Sequence, residues 1–239
     1  MTLLNSVETV SLNFSAFSLS LFGKEILIDW FRIAEEANPN FKRYINDFGI
    51  LSGSSKDRRE EYRDLIKHLV DNKAPLDGIG FQCHFREPVP PEEIFKRIKL
   101  FEEFDKDLQV TEYDFDITDE ELQAQFTKDF MTVIFSHPRM TGLITWTVWA
   151  GNPASRRTNA AFFTEDWKKK RIASAWEHMI KEKWMTDEKA ETDKQGMVNI
   201  RGFLGDYSIT ITHEGTEKSI KHSLKKNSKE LILKLETGN

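Results

Sequence analysis

Two acids and a histidine stand near the ends of two neighbouring predicted strands. Glu112 and Asp114 lie at the end of one strand, and His84 ends the strand before it. A parallel β/α fold places its active site at the carboxyl ends of its strands. An acid such as Glu112 inside an apolar strand needs a charge partner or a polar cleft, because burying it unpaired costs several kcal/mol. We therefore expect Glu112 and His84 to converge, the alternative being an ordinary exposed acid at a strand end.

Polar and aromatic residues close the other strands at the same end. Gln82 precedes His84, Asn46 ends an earlier strand, and Trp146 and Trp149 lie in a later one. Tryptophan faces stack on the apolar face of a pyranose, while acids and amides bind its hydroxyls, so this set favours a sugar-binding cleft. Core packing is the alternative for both tryptophans. They are three positions apart, so in a strand they would point to opposite faces, and at most one is expected to line the cleft.

The sequence contains no motif typical of nucleotide-binding proteins, serine hydrolases or metal sites. It has no glycine-rich nucleotide loop, no Gly-x-Ser-x-Gly elbow and no metal-ligand spacing among its six histidines and one cysteine. No cofactor is therefore expected. Cys83 adjoins His84, but neighbouring strand residues point to opposite faces and would not pair as nucleophile and base.

The elements that must position these residues alternate along the chain. Strands are predicted near 42–46, 78–84, 108–115 and 142–149, and helices near 27–37, 56–72, 90–101, 118–136 and 167–183. Thr118 is expected to cap the fourth of these helices. The run 142–149 is apolar enough to suggest a parallel strand covered on both faces. Four β/α units follow from Lys42, which predicts a (β/α)₈ barrel or a doubly wound sheet.

The two ends of the chain differ from this pattern. Residues 185–239 predict a small antiparallel β appendage, with strand signals near Val198 and over 207–212, 219–224 and 231–235. Residues 1–22 contain two short period-two runs, which predict either a strand or an unrelated chain start. Serines interrupt these runs, so the segment fits neither a signal peptide nor a membrane-spanning helix.

Composition predicts a packed core rather than a disordered chain. The 239 residues carry 34 basic and 39 acidic side chains, a net charge of −5, and 39% of them belong to the hydrophobic set. This mild acidity disfavours a nucleic-acid partner, and no segment indicates a membrane partner. A single cysteine excludes an intramolecular disulfide.

Four segments, taken in order and spacing, resemble glycoside hydrolase family 10, the endo-1,4-β-xylanases. They are Tyr44-Ile45-Asn46-Asp47-Phe48, Gly78-Ile79-Gly80-Phe81-Gln82-Cys83-His84, Val110-Thr111-Glu112-Tyr113-Asp114-Phe115 and Ile144-Thr145-Trp146. The resemblance covers about 23–184 and leaves 1–22 unmatched. The tail, notably 199–207, is similar to the C-terminal extension of a plant-type branch of that family.

The resemblance implies a retaining xylanase acting on a polysaccharide, xylan or a related β-linked glycan. The fold would be part of a (β/α)₈ barrel, strands 5 to 8 and, if residues 1–22 hold a remnant, strand 4. Glu112 matches the family's nucleophile, which forms a glycosyl-enzyme. The matching substrate contacts are Asn46, Gln82, His84 and Trp146, and Trp149 and Arg156 are further, unassigned candidates. Secretion is common in the family, although no signal peptide is visible here.

One expected residue is missing from its place. The family carries its acid/base glutamate in an Asn-Glu pair shortly before the segment that matches Phe22-Gly23, and no Asn-Glu pair occurs in this chain. The acid that stands nearest is Glu8, which follows Val7; it is either the acid/base or part of an unrelated chain start. The protein is then an N-terminally incomplete glycosidase or a non-catalytic carbohydrate-binding remnant. We expect slow xylan hydrolysis or none. A barrel hydrolase for another β-linked glycan is the third interpretation.

Overall fold

The structure is a computed structural model that describes the backbone of residues 9–13 and both backbone and side chains of residues 23–226 and 231–233. The chain divides into two compact units, Met1–Met179 and Ile180–Asn239. Within the described ranges, no helix is long and apolar enough to cross a membrane.

A five-stranded parallel sheet forms the first unit, with its strands in chain order. The strands are β1 Thr9–Asn13, β2 Lys42–Phe48, β3 Gly78–Phe85, β4 Asp107–Phe115 and β5 Met140–Thr145. The helices are α1 Glu25–Ala37, α2 Lys56–Asp71, α3 Pro91–Lys99, α4 Glu120–Ser136 and α5 Arg171–His178. Each of β2 to β5 is followed by a helix, so the four predicted β/α units are confirmed.

The helices bury apolar faces of the kind that their spacing predicts. Phe31 of α1, Ile98 of α3 and Phe130 of α4 are fully buried. Tyr62 of α2 is 1% exposed, and its hydroxyl lies 3.1 Å and 2.9 Å from the backbone oxygens of Ile45 and Gly80. One helix thereby ties β2 to β3 directly below the strand ends that carry polar residues.

At α4 the predicted C-terminal end is confirmed and the predicted N-cap residue is wrong. The helix ends at Ser136, and its C-cap His137 stands directly before Pro138, as predicted. Its N-cap is Asp119 rather than Thr118: the Asp119 carboxylate accepts the backbone N–H groups of Glu121 and Leu122, each at 3.0 Å. Asp119 immediately precedes the first helical residue, so its short side chain reaches these free donors.

The prediction of a strand over 142–149 that is covered on both faces is wrong in its bounds and in its burial. β5 covers Met140–Thr145 and occupies the end of the strand order, so among the described strands it has one neighbour, β4. Ile144 and Val148 are 48% and 47% exposed. The apolar run is therefore an edge strand followed by a loop, and both faces are not covered as the sequence predicted.

The last helix of the unit begins later than predicted. Trp167, its predicted first residue, has a φ of 62°, which lies outside the right-handed helical region. The regular helix α5 covers Arg171–His178, and a π-helical turn follows over Met179–Lys183. Ile172 on its predicted apolar stripe is fully buried.

The second unit contains an antiparallel hairpin of β6 Gly205–His213 and β7 Thr216–Leu224. Its two-residue turn has positive φ at both Glu214 (47°) and Gly215 (79°), the conformation that matches the twist of the flanking strands. The hairpin confirms two of the strand signals predicted for the tail.

The three remaining strand signals, near Val198, over 231–235 and within 1–22, have different outcomes. The chain near Val198 and over 231–233 is not in a strand, and residues 234–235 lie outside the described ranges. Within 1–22, Thr9–Asn13 forms β1 and pairs in parallel with β2.

Candidate active site

A β-bulge in β4 sets the direction of its acids. The register with β3 pairs Phe81 with Val110 and then Gln82 with Glu112, so Thr111 is the extra residue. Before the bulge the even-numbered residues of β4 are buried, whereas after it the apolar odd-numbered residues are. One inserted residue exchanges the side chains that share a face. The bulge therefore brings Glu112 to the face that Thr111 lines, away from the helices.

Glu112 is held by side chains from the two preceding strands. The Nδ2 of Asn46 donates to its Oε1 at 3.4 Å, and the Nε2 of His84 lies 3.2 Å from its Oε2. Asn46 is oriented by the Thr111 hydroxyl, which donates to its Oδ1 at 2.8 Å. A Cβ on Gly80 would lie 2.8 Å from this same Oδ1, so a glycine is needed beside the amide. The predicted convergence of Glu112 with His84 is present, and Asn46 joins it.

His84 bridges two carboxylates. Its Nδ1 lies 2.9 Å from the Oδ2 of Asp114, while its Nε2 faces Glu112. A neutral imidazole has a single N–H, so it can donate to one of the two acids, and a hydrogen bond to the second needs a proton on that acid; the imidazolium can donate to both. The side chain of His84 is 24% exposed, that of Glu112 13% and that of Asp114 1%. The imidazole therefore connects a buried acid, Asp114, to a partly exposed one, Glu112.

Arg157 completes this arrangement, and the sequence reasoning missed it. Its Nε lies 2.7 Å from both oxygens of Asp114, and one terminal nitrogen lies 2.6 Å from Oδ1 and donates to the backbone oxygen of Phe85 at 2.8 Å. Arg156, the arginine chosen from the sequence, is exposed. The adjacent pair of arginines was the available signal, but a loop sequence does not reveal which side chain turns inward.

Cys83 faces away from this group, as its position beside His84 in the strand predicts. It is fully buried, and burial raises the pKa of its thiol well above the ordinary value, with the nearby acids Asp114 and Glu112 adding to the effect. A thiol so protonated is a poor nucleophile. The structure thus gives no support to cysteine chemistry at this site.

Trp146 and Trp149 both line one cavity of about 430 Å³. Trp146 is 55% exposed and meets the ring of His84 edge-on, with 5.8 Å between ring centroids. The expectation that at most one tryptophan lines the cleft assumed a strand through both residues. It is wrong for this cavity, because β5 ends at Thr145 and the two side chains no longer alternate.

The remaining predicted residues have separate outcomes. Gln82 is half-buried on the face of β3 that carries His84, at the level of Glu112. Glu8 lies outside the described residues. In the ranges that the structure describes, no group of three or more His, Cys, Asp or Glu side chains is arranged to hold a metal ion.

The site therefore combines a partly exposed carboxylate, an imidazole that bridges it to a buried ion pair, and an amide. Beside them lies an aromatic wall, which consists of Trp146 and Trp149. Such a carboxylate can act as a nucleophile or as a general base. The neighbouring cavity falls within the range of small-molecule sites, about 300–1,000 Å³. Its tryptophans offer flat apolar faces to a ring-shaped ligand.

A family model connects this geometry to known proteins. The model described as "Glycosyl hydrolase family 10" matches residues 7–179. The match ends where the first compact unit ends, and it includes residues 7–22, which the resemblance read from the sequence did not cover.

Two curated relatives match most of the chain. Endo-1,4-beta-xylanase 1 of Arabidopsis thaliana is 25% identical over 210 residues, 86% of this chain and 22% of that protein. Anti-sigma-I factor RsgI6 of Acetivibrio thermocellus is 26% identical over 202 residues, 84% of this chain and 26% of that protein. The chain thus spans about a quarter of the length of either relative.

A solved structure shows the same fold. Xylanase 10B from Thermotoga petrophila, crystallised in complex with xylobiose, matches with a TM-score of 0.64 at 20% identity, over 74% of this chain and 59% of that chain. This likeness confirms the predicted partial (β/α)₈ barrel.

Proposed function

Because the chain belongs to glycosyl hydrolase family 10, we propose that it carries the nucleophile of a retaining endo-1,4-β-xylanase, with xylan as the substrate. One observation carries the proposal: Glu112, at the carboxyl end of β4, is partly exposed and is bound by both Asn46 and His84. In a parallel β/α fold this is the end at which catalytic groups act.

Glu112 would react by double displacement. One of its oxygens attacks the anomeric carbon, the bond from that carbon to the leaving oxygen breaks, and the leaving oxygen takes a proton from an acid. Water then attacks the anomeric carbon of the glycosyl-enzyme, its proton passes to the same acid, which now acts as a base, and the bond to Glu112 breaks. His84 and Asn46 fix the direction of the carboxylate throughout, and the ion pair of Asp114 with Arg157 fixes His84.

The aromatic wall would bind the sugar. Trp146 lies edge-on to His84 and is more than half exposed, so a pyranose ring can stack on it close to Glu112. Gln82 lies beside this position and is proposed to bind sugar hydroxyls. Trp149 and Arg156 remain proposed contacts further from the reacting carbon.

A retaining reaction also needs a second carboxyl, about 5–5.5 Å from the nucleophile. Glu8 is the candidate, and the residue that follows it, Thr9, pairs with Lys42 at the amino end of β2. Asn46, which binds the nucleophile, pairs instead with Asn13. Four residues of strand span about 13 Å, so this register argues against Glu8 as the acid/base. Residues 13–22, which run from the carboxyl end of β1 to the next described segment, include no Asp or Glu.

That register favours a second candidate function, carbohydrate binding without turnover. Loss of a general acid typically lowers the rate about 10²- to 10⁴-fold while the rest of the site stays intact. The tryptophans, the amides and the carboxylates would still bind a glycan chain. The similarity to a protein named as an anti-sigma factor fits a domain that is not confined to xylanases.

A dinitrophenyl β-xylobioside separates the two candidates, because its leaving group departs without a proton. If Glu112 is the nucleophile, the chain releases one equivalent of dinitrophenolate in a burst, and azide accelerates further release by attacking the glycosyl-enzyme. Glu112→Gln abolishes the burst, while the exposed Glu121→Gln leaves it unchanged. Binding of xylo-oligosaccharides with no burst would favour the second candidate. A panel with cellulose oligosaccharides tests the choice of glycan.

A further inference from the structure

Trp167 is presented to solvent by a tight turn over 164–168. Its backbone N–H donates to the oxygen of Thr164 at 3.0 Å, and the Thr164 hydroxyl accepts the N–H of Lys168 at 2.9 Å. Trp167 itself has a φ of 62°, which is a rare conformation for a bulky residue, and it is 61% exposed. The turn therefore holds a large aromatic ring in solvent at the cost of backbone strain.

Trp149 supports this ring from one side. The two indoles stack with 5.2 Å between centroids and an angle of 8° between planes. The Trp149 Nε1 donates to the backbone oxygen of Glu165 at 3.0 Å, which ties the lower ring to the same turn. Gly151 lies against Trp149 so closely that a Cβ there would come within 2.3 Å of its Cζ2. The pair is thus rigid, with one ring as the base and the other as an exposed platform.

We propose that Trp167 is an additional sugar-binding platform, which stacks on the face of a pyranose in a β-1,4-linked glycan that extends from the site at Glu112. The inference depends on the proposed glycan ligand, although not on hydrolysis. Flat, rigid aromatic rings bind such faces at little entropic cost, because their side chains are already fixed.

The platform is continuous with the site already described. Trp146 contacts His84, and Trp146 and Trp149 line the same cavity. Trp167 stacks on Trp149 but is not part of that lining, so it lies beyond the cavity. A short oligosaccharide seated at Glu112 would therefore not reach Trp167, whereas a longer one would. The contribution of Trp167 should grow with the length of the glycan.

Binding of xylobiose and xylohexaose by isothermal titration calorimetry tests this, with all proteins carrying Glu112→Gln to prevent turnover. Trp167→Ala should weaken xylohexaose binding about tenfold and change xylobiose binding less than about twofold. Trp167→Phe, which keeps an aromatic face, should recover most of the loss. Ile33→Ala is the control: Ile33 is 60% exposed on α1, and its removal should have no effect. Unchanged xylohexaose affinity in Trp167→Ala, or an equal loss for both ligands, would overturn the platform.

A measurement on the parent chain covers the case in which Trp167→Ala does not fold. Xylohexaose should protect Trp167 from oxidation by N-bromosuccinimide, followed by peptide mass mapping, and xylobiose should not. Equal oxidation with and without xylohexaose would overturn the inference. If xylohexaose binds and protects Trp167 but no glycosyl-enzyme forms, the platform stands and the proposed hydrolysis fails. If hydrolysis proceeds and Trp167 is not protected, the proposed hydrolysis stands and the platform fails.

Discussion

Arg157 neutralises a carboxylate that is almost wholly buried, so its removal should destabilise the protein strongly. Asp114 is 1% exposed, and Arg157, 16% exposed, contacts it at 2.6–2.7 Å and also binds the backbone of Phe85. Exposed ion pairs contribute about 0–1 kcal/mol, but removing one partner of a buried pair costs about 3–5 kcal/mol. His84 would remain as a partner of Asp114, so we expect about 3 kcal/mol for Arg157→Met.

Urea unfolding followed by circular dichroism measures this loss, and the neighbouring arginine supplies a matched control. Arg156→Met removes the same charge from an exposed site and should change the free energy of unfolding by less than about 0.5 kcal/mol. The double variant Arg157→Met/Asp114→Asn should recover part of the loss, because no unpaired charge is left buried, giving a coupling energy of about 2 kcal/mol. Equal effects of Arg156→Met and Arg157→Met would refute the reasoning.

Three further outcomes follow from the packing. Asp119→Ala should lower the free energy of unfolding by about 1 kcal/mol, whereas Thr118→Ala should change it little, in the same urea assay; equal effects would contradict the observed cap. Gly80→Ala should cost about 1–3 kcal/mol, because its new methyl would lie 2.8 Å from the Asn46 amide oxygen; a neutral result would show that Asn46 can move. Cys83, buried and with a raised thiol pKa, should react with Ellman's reagent at pH 8 only after unfolding; rapid reaction of the native chain would contradict its burial.

The elements of the barrel could be predicted from sequence because each has a local signal. Apolar residues at helical spacing, and proline after Asn38 and His137, located α1 and α4. Glu112 and His84 could be predicted to converge because parallel strands end at one edge of a sheet.

Three features of the site depend on tertiary contacts that no local pattern encodes. The bulge at Thr111 exists only in the pairing of β4 with β3. Arg157 is selected over Arg156 by the buried Asp114, which is 43 residues away in sequence. Because β5 ends at Thr145 and not at Trp149 as predicted, Trp149 lies in a loop, where it stacks on Trp167.

Covalent trapping tests the central claim, that Glu112 is a glycosidase nucleophile, most directly. The substrate is a 2-deoxy-2-fluoro xylobioside with a dinitrophenyl leaving group. The fluorine slows both formation and hydrolysis of the glycosyl-enzyme, but the good leaving group keeps formation fast. The glycosyl-enzyme therefore accumulates. We predict that intact mass rises by one fluoroxylobiosyl unit per chain and that peptide sequencing places it on Glu112. A chain that stays unlabelled, or a label on any other residue, would contradict the assignment.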